Sequence, residues 1–302
     1  MFYSDPHLAY PVRVDKPNPV FAKMLQQAIG GIEGEIRVML QYLFQAWGFR
    51  GPAKYKDMLY NTGTEEIGHI EMLATAVAMN LEGAPTHLKD EIAGQNPTVA
   101  AVLGGMNPRH FLSTALAATA EDANGNPFNG SWVVASGNLV ADMHAHVAAE
   151  TTGRLLVTRL WEMTDDPGMK DTLGFLIARD TMHQNQWLAV LEELQNAYPV
   201  PSDFSQTNEK NQFSYQYFVQ SSTPLPEHAR FTEGPSVDGK GQFTMVQAKP
   251  LGQIPMLAPA PNASHALVME KNAASPLKPM MESPANSASM APNGTNADST
   301  TK

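Results

Sequence analysis

Glu66-Ile67-Gly68-His69 and Asp180-Thr181-Met182-His183 are the two stretches whose reading decides this fold. Each is an acid followed three residues later by histidine. On an α-helix that spacing puts both side chains on one face. Each step is preceded by a further glutamate, Glu35 before the first and Glu150 before the second. The midpoint from Glu35 to Glu66 falls on Arg50-Gly51-Pro52. The midpoint from Glu150 to His183 falls on Asp166-Pro167-Gly168. Both are strong turn signals. Two helical hairpins closing at these turns bring all these groups to one level. This predicts an all-α fold: a four-helix bundle with a long crossover and an extended, largely irregular C-terminal segment. Bundles of this kind build dinuclear metal sites from facing carboxylates and histidines.

An acid-x-x-His step alone is a weak signal, because chance examples on helix surfaces are common. Its near-duplication, each time paired with a glutamate across a turn, carries the argument. Energetics point the same way. Glu35, Glu66 and Glu150 would all enter an apolar interior. An unpaired ionised carboxylate there costs many kcal/mol and normally takes up a proton instead. Few basic residues stand near. Arg37 faces the wrong side of its helix, and Arg154 lies a turn beyond Glu150. Two divalent ions supply the missing charge. Carboxylate oxygens with one imidazole per metal suit manganese or iron better than zinc or copper.

The 302 residues are 43% apolar, enough for a sizeable core, and carry a net charge of -10. That acidity argues against nucleic acid or an anionic membrane as partner. No apolar run is long enough to span a bilayer. The N-terminus lacks the basic-then-apolar pattern of a signal peptide, so a cytoplasmic location is expected. There is no cysteine, which excludes disulfides, thiolate metal sites and iron–sulfur clusters. The 17 methionines read as core filler.

Residues 1–18 form a proline- and aromatic-rich arm. Asn18 caps a first helix, with Pro19 at its first position. Apolar spacing predicts one continuous helix from there to about Trp47. Gly30, Gly31 and Gly34 interrupt it, each weakening a helix by roughly 1 kcal/mol. A close neighbouring helix, or a local kink, would explain them. A second helix is expected over about 52–81, a third over 131–163 and a fourth over 167–197. The domains predicted are 1–198 for the catalytic bundle with its arm and 199–250 for an irregular extension holding short strands, such as Gln212 to Val219. Residues 251–302 read as a low-complexity tail, disordered or wrapped on another subunit. His144 and His146, near Glu150, read as outer or surface histidines. His7, His87, His110, His228 and His265 have no partner pattern and read as surface or loop. Glu65 should point about 100° away from Glu66. Tyr42 shares a face with Glu35, as a core tyrosine or as a hydroxyl donor to a metal-bridging carboxylate.

The stretches Ile29 to Glu35, Gln41-Tyr42, Thr64 to Glu71, Ala149-Glu150 and Arg179 to His183 resemble the non-haem manganese catalases, in ligand type, order and spacing, over roughly residues 1–235. The resemblance implies a ferritin-like bundle, two manganese ions per chain and dismutation of hydrogen peroxide. It implies Glu35 and His69 on one metal, Glu150 and His183 on the other, and Glu66 bridging. It implies Tyr42 against the bridge, Asp180 as an acid outside the ligand set, and a homo-hexamer. Ala149 stands where some members carry arginine. Asp57 and Asn61 match part of a calcium site found in some members, but Val219 replaces an expected polar ligand, so calcium is not assigned. Two rivals stand beside this reading: a di-iron ferritin-like oxidase or ferroxidase, and a non-catalytic, coat-like structural protein. Asp180, one methylene shorter than glutamate, favours three ligating carboxylates over the four of the di-iron class.

Overall fold

A computed structural model describes residues 5–82, 107, 109–194, 212–219, 233–236, 239, 241–248 and 252–256. About half of the crossover expected over 82–130, almost all of the 251–302 tail, and His87, His228 and His265 lie outside the described residues. Six described helices follow one another: α1 (Pro19–Gly30), α2 (Glu35–Gly48), α3 (Ala53–Asn80), α4 (Arg109–Leu112), α5 (Leu139–Glu162) and α6 (Pro167–Glu193). None is long and apolar enough to cross a membrane.

The N-terminal boundary of α1 follows from its cap. Asn18 accepts hydrogen bonds from the amides of Val20 and Phe21, and Pro19 begins the helix. The single helix expected from Pro19 to Trp47 is instead two, broken at Gly31 to Gly34. The glycines have a local reason. A Cβ on Gly30 would sit 2.5–2.6 Å from the backbone of Glu121. At Gly30 the partner that demands glycine is thus the crossover segment; at Gly31 and Gly34 it is the end of α1 itself, Gln27 and the carbonyls of Ala28 and Ile29, where the chain kinks. Gln26 holds that segment by donating to the carbonyls of Thr119 and Glu121 and accepting from the amide of Thr119. The break makes Glu35 the first residue of α2. Its carboxylate therefore sits where the helix dipole favours negative charge.

Two further boundaries differ from expectation. α5 starts at Leu139, not near Ser131, because Asn138 caps it and only one 3-10 turn, Gly130–Trp132, precedes it. α6 runs to Glu193, about a turn short of the expected end. His110, expected on the surface, is fully buried in the segment that Asn107, Arg109 and Glu121 tie together through two contacts to the Glu121 carboxylate.

α2 packs on α3 and α5 on α6. Lesser contacts join α2 to α5 and α3 to α6, and α1 lies along α3. Two apolar clusters result. One holds Phe21, Leu25, Ile29, Met72, Leu73, Val77, Val157, Leu160, Met169, Leu173 and Leu176. The other holds Val38, Tyr42, Ala46, Tyr55, Leu59, Met143, Trp187, Val190 and Leu191. Each large side chain so buried contributes about 1.5–3 kcal/mol. Glu66 and His69 fall between the two clusters along α3, Glu150 between them along α5, and Asp180 and His183 between them along α6. A polar layer is therefore held between two apolar ones. The N-terminal arm covers the first cluster: Tyr10 stacks on Phe175 at 4.4 Å.

The chain divides into two compact units, Met1–Ser214 with Pro235–Gly241, and Tyr215–Gly234 with Gln242–Lys302. In the second unit, strand Gln216–Val219 pairs in parallel with Gln242–Gln247, Tyr217 opposite Met245.

Candidate metal centre

Helical spacing puts every candidate on an inward face, and all are buried: Glu35, Glu66, His69, Glu150, Asp180 and His183 are each 7% exposed or less. They come together in two overlapping groups, Glu35 with Glu66 and His69, and Glu66 with Glu150 and His183. Glu66 belongs to both. Its Oε2 lies 2.6 Å from His69 Nδ1 and its Oε1 2.9 Å from His183 Nδ1. His69 Nδ1 is 4.0 Å from Glu35, and His183 Nδ1 is 3.6 Å from Glu150. The two imidazoles lie 5.7 Å apart, their planes inclined by 26°. Both groups thus present one imidazole nitrogen and two carboxylates inward, joined by a shared carboxylate. No other group of His, Asp and Glu among the described residues is close enough to hold an ion. Asp57 and Asn61 lie exposed on α3.

Titration behaviour records how crowded this charge is. Burial raises the Glu35 carboxyl well above its ordinary range, and the charges of Glu66 and Asp180 add to it. Burial and the charges of Glu150 and Glu66 push Asp180 up to about 8. Burial also acts on Glu66, but the charges of His69 and His183 outweigh it and hold that carboxyl down at about 2. Burial opposes charge on His183 and His69. Hydrogen bonding to Glu150, Glu65 and Glu66 overcomes it at His183, and the charge of Glu66 leads at His69, so both imidazoles are raised. Protons therefore do in this pocket what cations do in a metal site: they neutralise carboxylates that water does not reach. The pocket fits divalent metal on this ground. Its donors are oxygen and imidazole without sulfur, the set that suits manganese or iron.

Tyr42 is fully buried, and its hydroxyl donates to Glu150 Oε1 rather than to Glu66. Below it lies an aromatic layer. Tyr42 meets His146 edge-on at 4.7 Å, and His146 lies 4.6 Å from Trp187. His146, expected in the outer shell or on the surface, is fully buried, and neither ring nitrogen has a hydrogen-bond partner. Burial alone drives its pKa down to about 3. His144 is half-buried. Arg37 donates to the carbonyls of Trp132 and Ile32, and Arg154 to Thr181. Ala149 is buried, and beside it a cavity of about 10 Å³ is lined by Glu35, Glu150, Gly153 and Asp180. That is about the volume one water-sized molecule needs.

Glu65 is the residue that the helical wheel misplaces. Its carboxylate faces the remote nitrogens of both histidines, 3.6 Å from His69 Nε2 and 3.2 Å from His183 Nε2. Arg179 donates to both Glu65 oxygens, at 2.5 and 3.2 Å. The available signal was spacing: Glu65 stands four residues before His69, and Arg179 four before His183.

A buried pocket of carboxylates and imidazoles, set in the middle of packed helices, defines a helical carboxylate–histidine metalloprotein. The chain belongs to the family described as manganese containing catalase, whose model matches residues 1–280. It is 46% identical over 267 residues to a manganese catalase of Bacillus subtilis (strain 168), covering 88% of this chain and 97% of that protein. It is 42% identical over 217 residues to a manganese catalase of Lactiplantibacillus plantarum, covering 71% of this chain and 80% of that one. Among solved structures it resembles KatB, a manganese catalase from Anabaena, with a TM-score of 0.62 at 24% identity over 82% of this chain and 99% of that one. That likeness bears on the helical fold.

Proposed function

We infer that this chain is a manganese catalase that converts hydrogen peroxide to water and oxygen in the pocket between the two apolar clusters. The observation that carries the reading is Glu66: one buried carboxylate whose two oxygens face two imidazoles, at 2.6 and 2.9 Å, one from each hairpin. We take Glu35 and His69 to hold one manganese ion and Glu150 and His183 a second, with Glu66 shared, inside a four-helix bundle of α2, α3, α5 and α6. When bound, the manganese pair supplies the two-electron redox change by which one peroxide is reduced and another oxidised.

The chain's own residues manage position and protons. Asp180 lines the small cavity with Glu35 and Glu150. Without metal its carboxyl is pushed up to about 8, and its place beside the cavity suits it to hold or pass a proton. Tyr42 donates to Glu150 Oε1, the same oxygen that lies 3.6 Å from His183 Nδ1, and so fixes how that carboxylate faces the site. The apolar clusters on either side keep bulk water out. The same reading includes a homo-hexamer and a cytoplasmic location.

Elemental analysis and oxygen release together test it. Purified protein should carry about two manganese per chain and release oxygen from peroxide. Stoichiometric iron with ferrous-oxidation activity would replace this reading with the di-iron one, and a chain without bound metal would end it.

A further inference from the structure

We propose that Glu65, pinned by Arg179, is a positioning residue shared by both halves of the centre, orienting His69 and His183 together. This rests on the reading that those histidines hold metal.

Each imidazole has two nitrogens, and only one can ligate. The other carries a proton and needs an acceptor, whose place decides which nitrogen is offered. In both histidines Nδ1 faces Glu66 and Nε2 faces Glu65. Two carboxylates adjacent in sequence therefore bracket the two rings from opposite sides. Helix geometry permits this. Glu65 and Glu66 stand four and three residues before His69, so His69 lies above both. His183 reaches the same two carboxylates from α6.

Arg179 makes the arrangement rigid. Its Nε and Nη2 take one Glu65 oxygen each, a fork-on-fork geometry that lysine does not reproduce. It stands one turn before His183 on α6, so the clamp joins the two hairpins at the rim of the pocket. Glu65 is 23% exposed and Arg179 30%. Their charges keep contact with water, unlike the inner acids. One carboxylate serving both rings has a consequence that a separate partner for each would not have: losing it loosens both metal positions at once.

The bland alternative is a rim ion pair that merely ties α3 to α6. Such a pair would alter melting of metal-free and loaded protein alike and leave metal retention untouched. The test uses full-length, manganese-loaded protein titrated with EDTA. Manganese per chain is measured by elemental analysis, and electron paramagnetic resonance watches for the hyperfine pattern of an isolated Mn(II) ion bound to protein. Glu65→Gln should lose manganese at roughly 10–100-fold lower chelator concentration, the scale for an outer-shell partner. Both ions should leave together, with no bound isolated-ion stage. Arg179→Lys, which keeps the charge and loses the fork, should shift in the same direction. Chelator resistance equal to wild type in both variants overturns the proposal. So does loss of one ion with the other retained, since Glu65 would then serve a single histidine. If wild-type protein binds no manganese at all, the metal reading itself fails before any variant is compared. Metal-free melting of each variant, read beside these data, separates misfolding from altered retention.

Discussion

His146→Phe should flatten the acid side of the stability profile. His146 is fully buried between Tyr42 and Trp187 with no partner on either ring nitrogen. Its native pKa of about 3 stands against an ordinary 6.5. The sign follows from proton counting. Below pH 6.5 the unfolded chain takes up a proton at this imidazole, and the native chain refuses it until about pH 3. Stability due to His146 is thus full above the unfolded value and is lost as pH falls through this window. A tenfold difference in proton affinity between the two states is worth about 1.4 kcal/mol. The loss between about pH 7.5 and about pH 4 is therefore about 3 kcal/mol, rising towards about 5 kcal/mol near pH 3.

Urea unfolding of metal-free protein, followed by far-ultraviolet circular dichroism across this range, measures it. The acids of the metal pocket also titrate there, but they are common to both proteins and cancel in the difference. Any packing change on introducing phenylalanine is independent of pH and shifts the whole curve. Wild type should therefore lose about 3 kcal/mol more than His146→Phe on going to about pH 4. Curves that stay parallel would show that His146 is protonated or hydrated in the native protein, and the reasoning from burial would be refuted.

Glu66→Ala should be the most damaging single ligand change, because Glu66 is the carboxylate that faces Nδ1 of both histidines; full two-metal occupancy in that variant would show that it is not shared. Asp180→Asn should keep both metals and lose much of the turnover, whereas loss of one metal per chain would make Asp180 a ligand. In metal-free protein Asp180 has a raised pKa, so its contribution is present below the unfolded value and lost as pH rises through about 8. Asp180→Asn should accordingly make the metal-free protein more stable than wild type above about pH 8, as melting curves will show. Manganese uptake near neutral pH should release protons, at least one from each of His69 and His183, because both imidazoles are raised when metal is absent and must be neutral to ligate. Calorimetry in buffers of different ionisation enthalpy counts them, and proton-neutral uptake would contradict the ligand assignment.

The two acid-x-x-His steps and their glutamates were legible because helical spacing is regular over α3, α5 and α6 and the turns punctuate it. The break before Glu35 was not. Apolar periodicity runs through Gly30 to Gly34 unchanged, and the demand for glycine at Gly30 comes from Glu121, about ninety residues away in sequence. His110 was misplaced for the same kind of reason: it lies outside any long periodic segment, so nothing local marks it as inside. Glu65 was misplaced because a helical wheel assigns directions to Cβ atoms. A glutamate has three rotatable bonds, and a neighbouring helix that offers both an arginine and a histidine decides where its carboxylate goes.

The polar layer explains why these departures cluster around the centre. Glu35, Glu66, Glu150 and Asp180 are taken out of water at one level, with the buried imidazoles of His69 and His183 beside them. The two imidazolium charges hold one of the four acids, Glu66, ionised. The raised values of the other three, Glu35, Glu150 and Asp180, show their charge being settled by protons. Local geometry eases what is left. Glu35 opens a helix, where the backbone dipole favours its charge, and that position exists only because Gly31 to Gly34 end α1. Tyr42 donates to Glu150. Glu65 and Arg179 stay at the rim, where water screens them, and touch the layer only through the histidines. A chain selected for stability alone would fill this level with apolar side chains, as it does on both sides. That it places four acids here instead, and spends a helix break and an inter-hairpin clamp on arranging them, is the physical mark of a site built to take up cations.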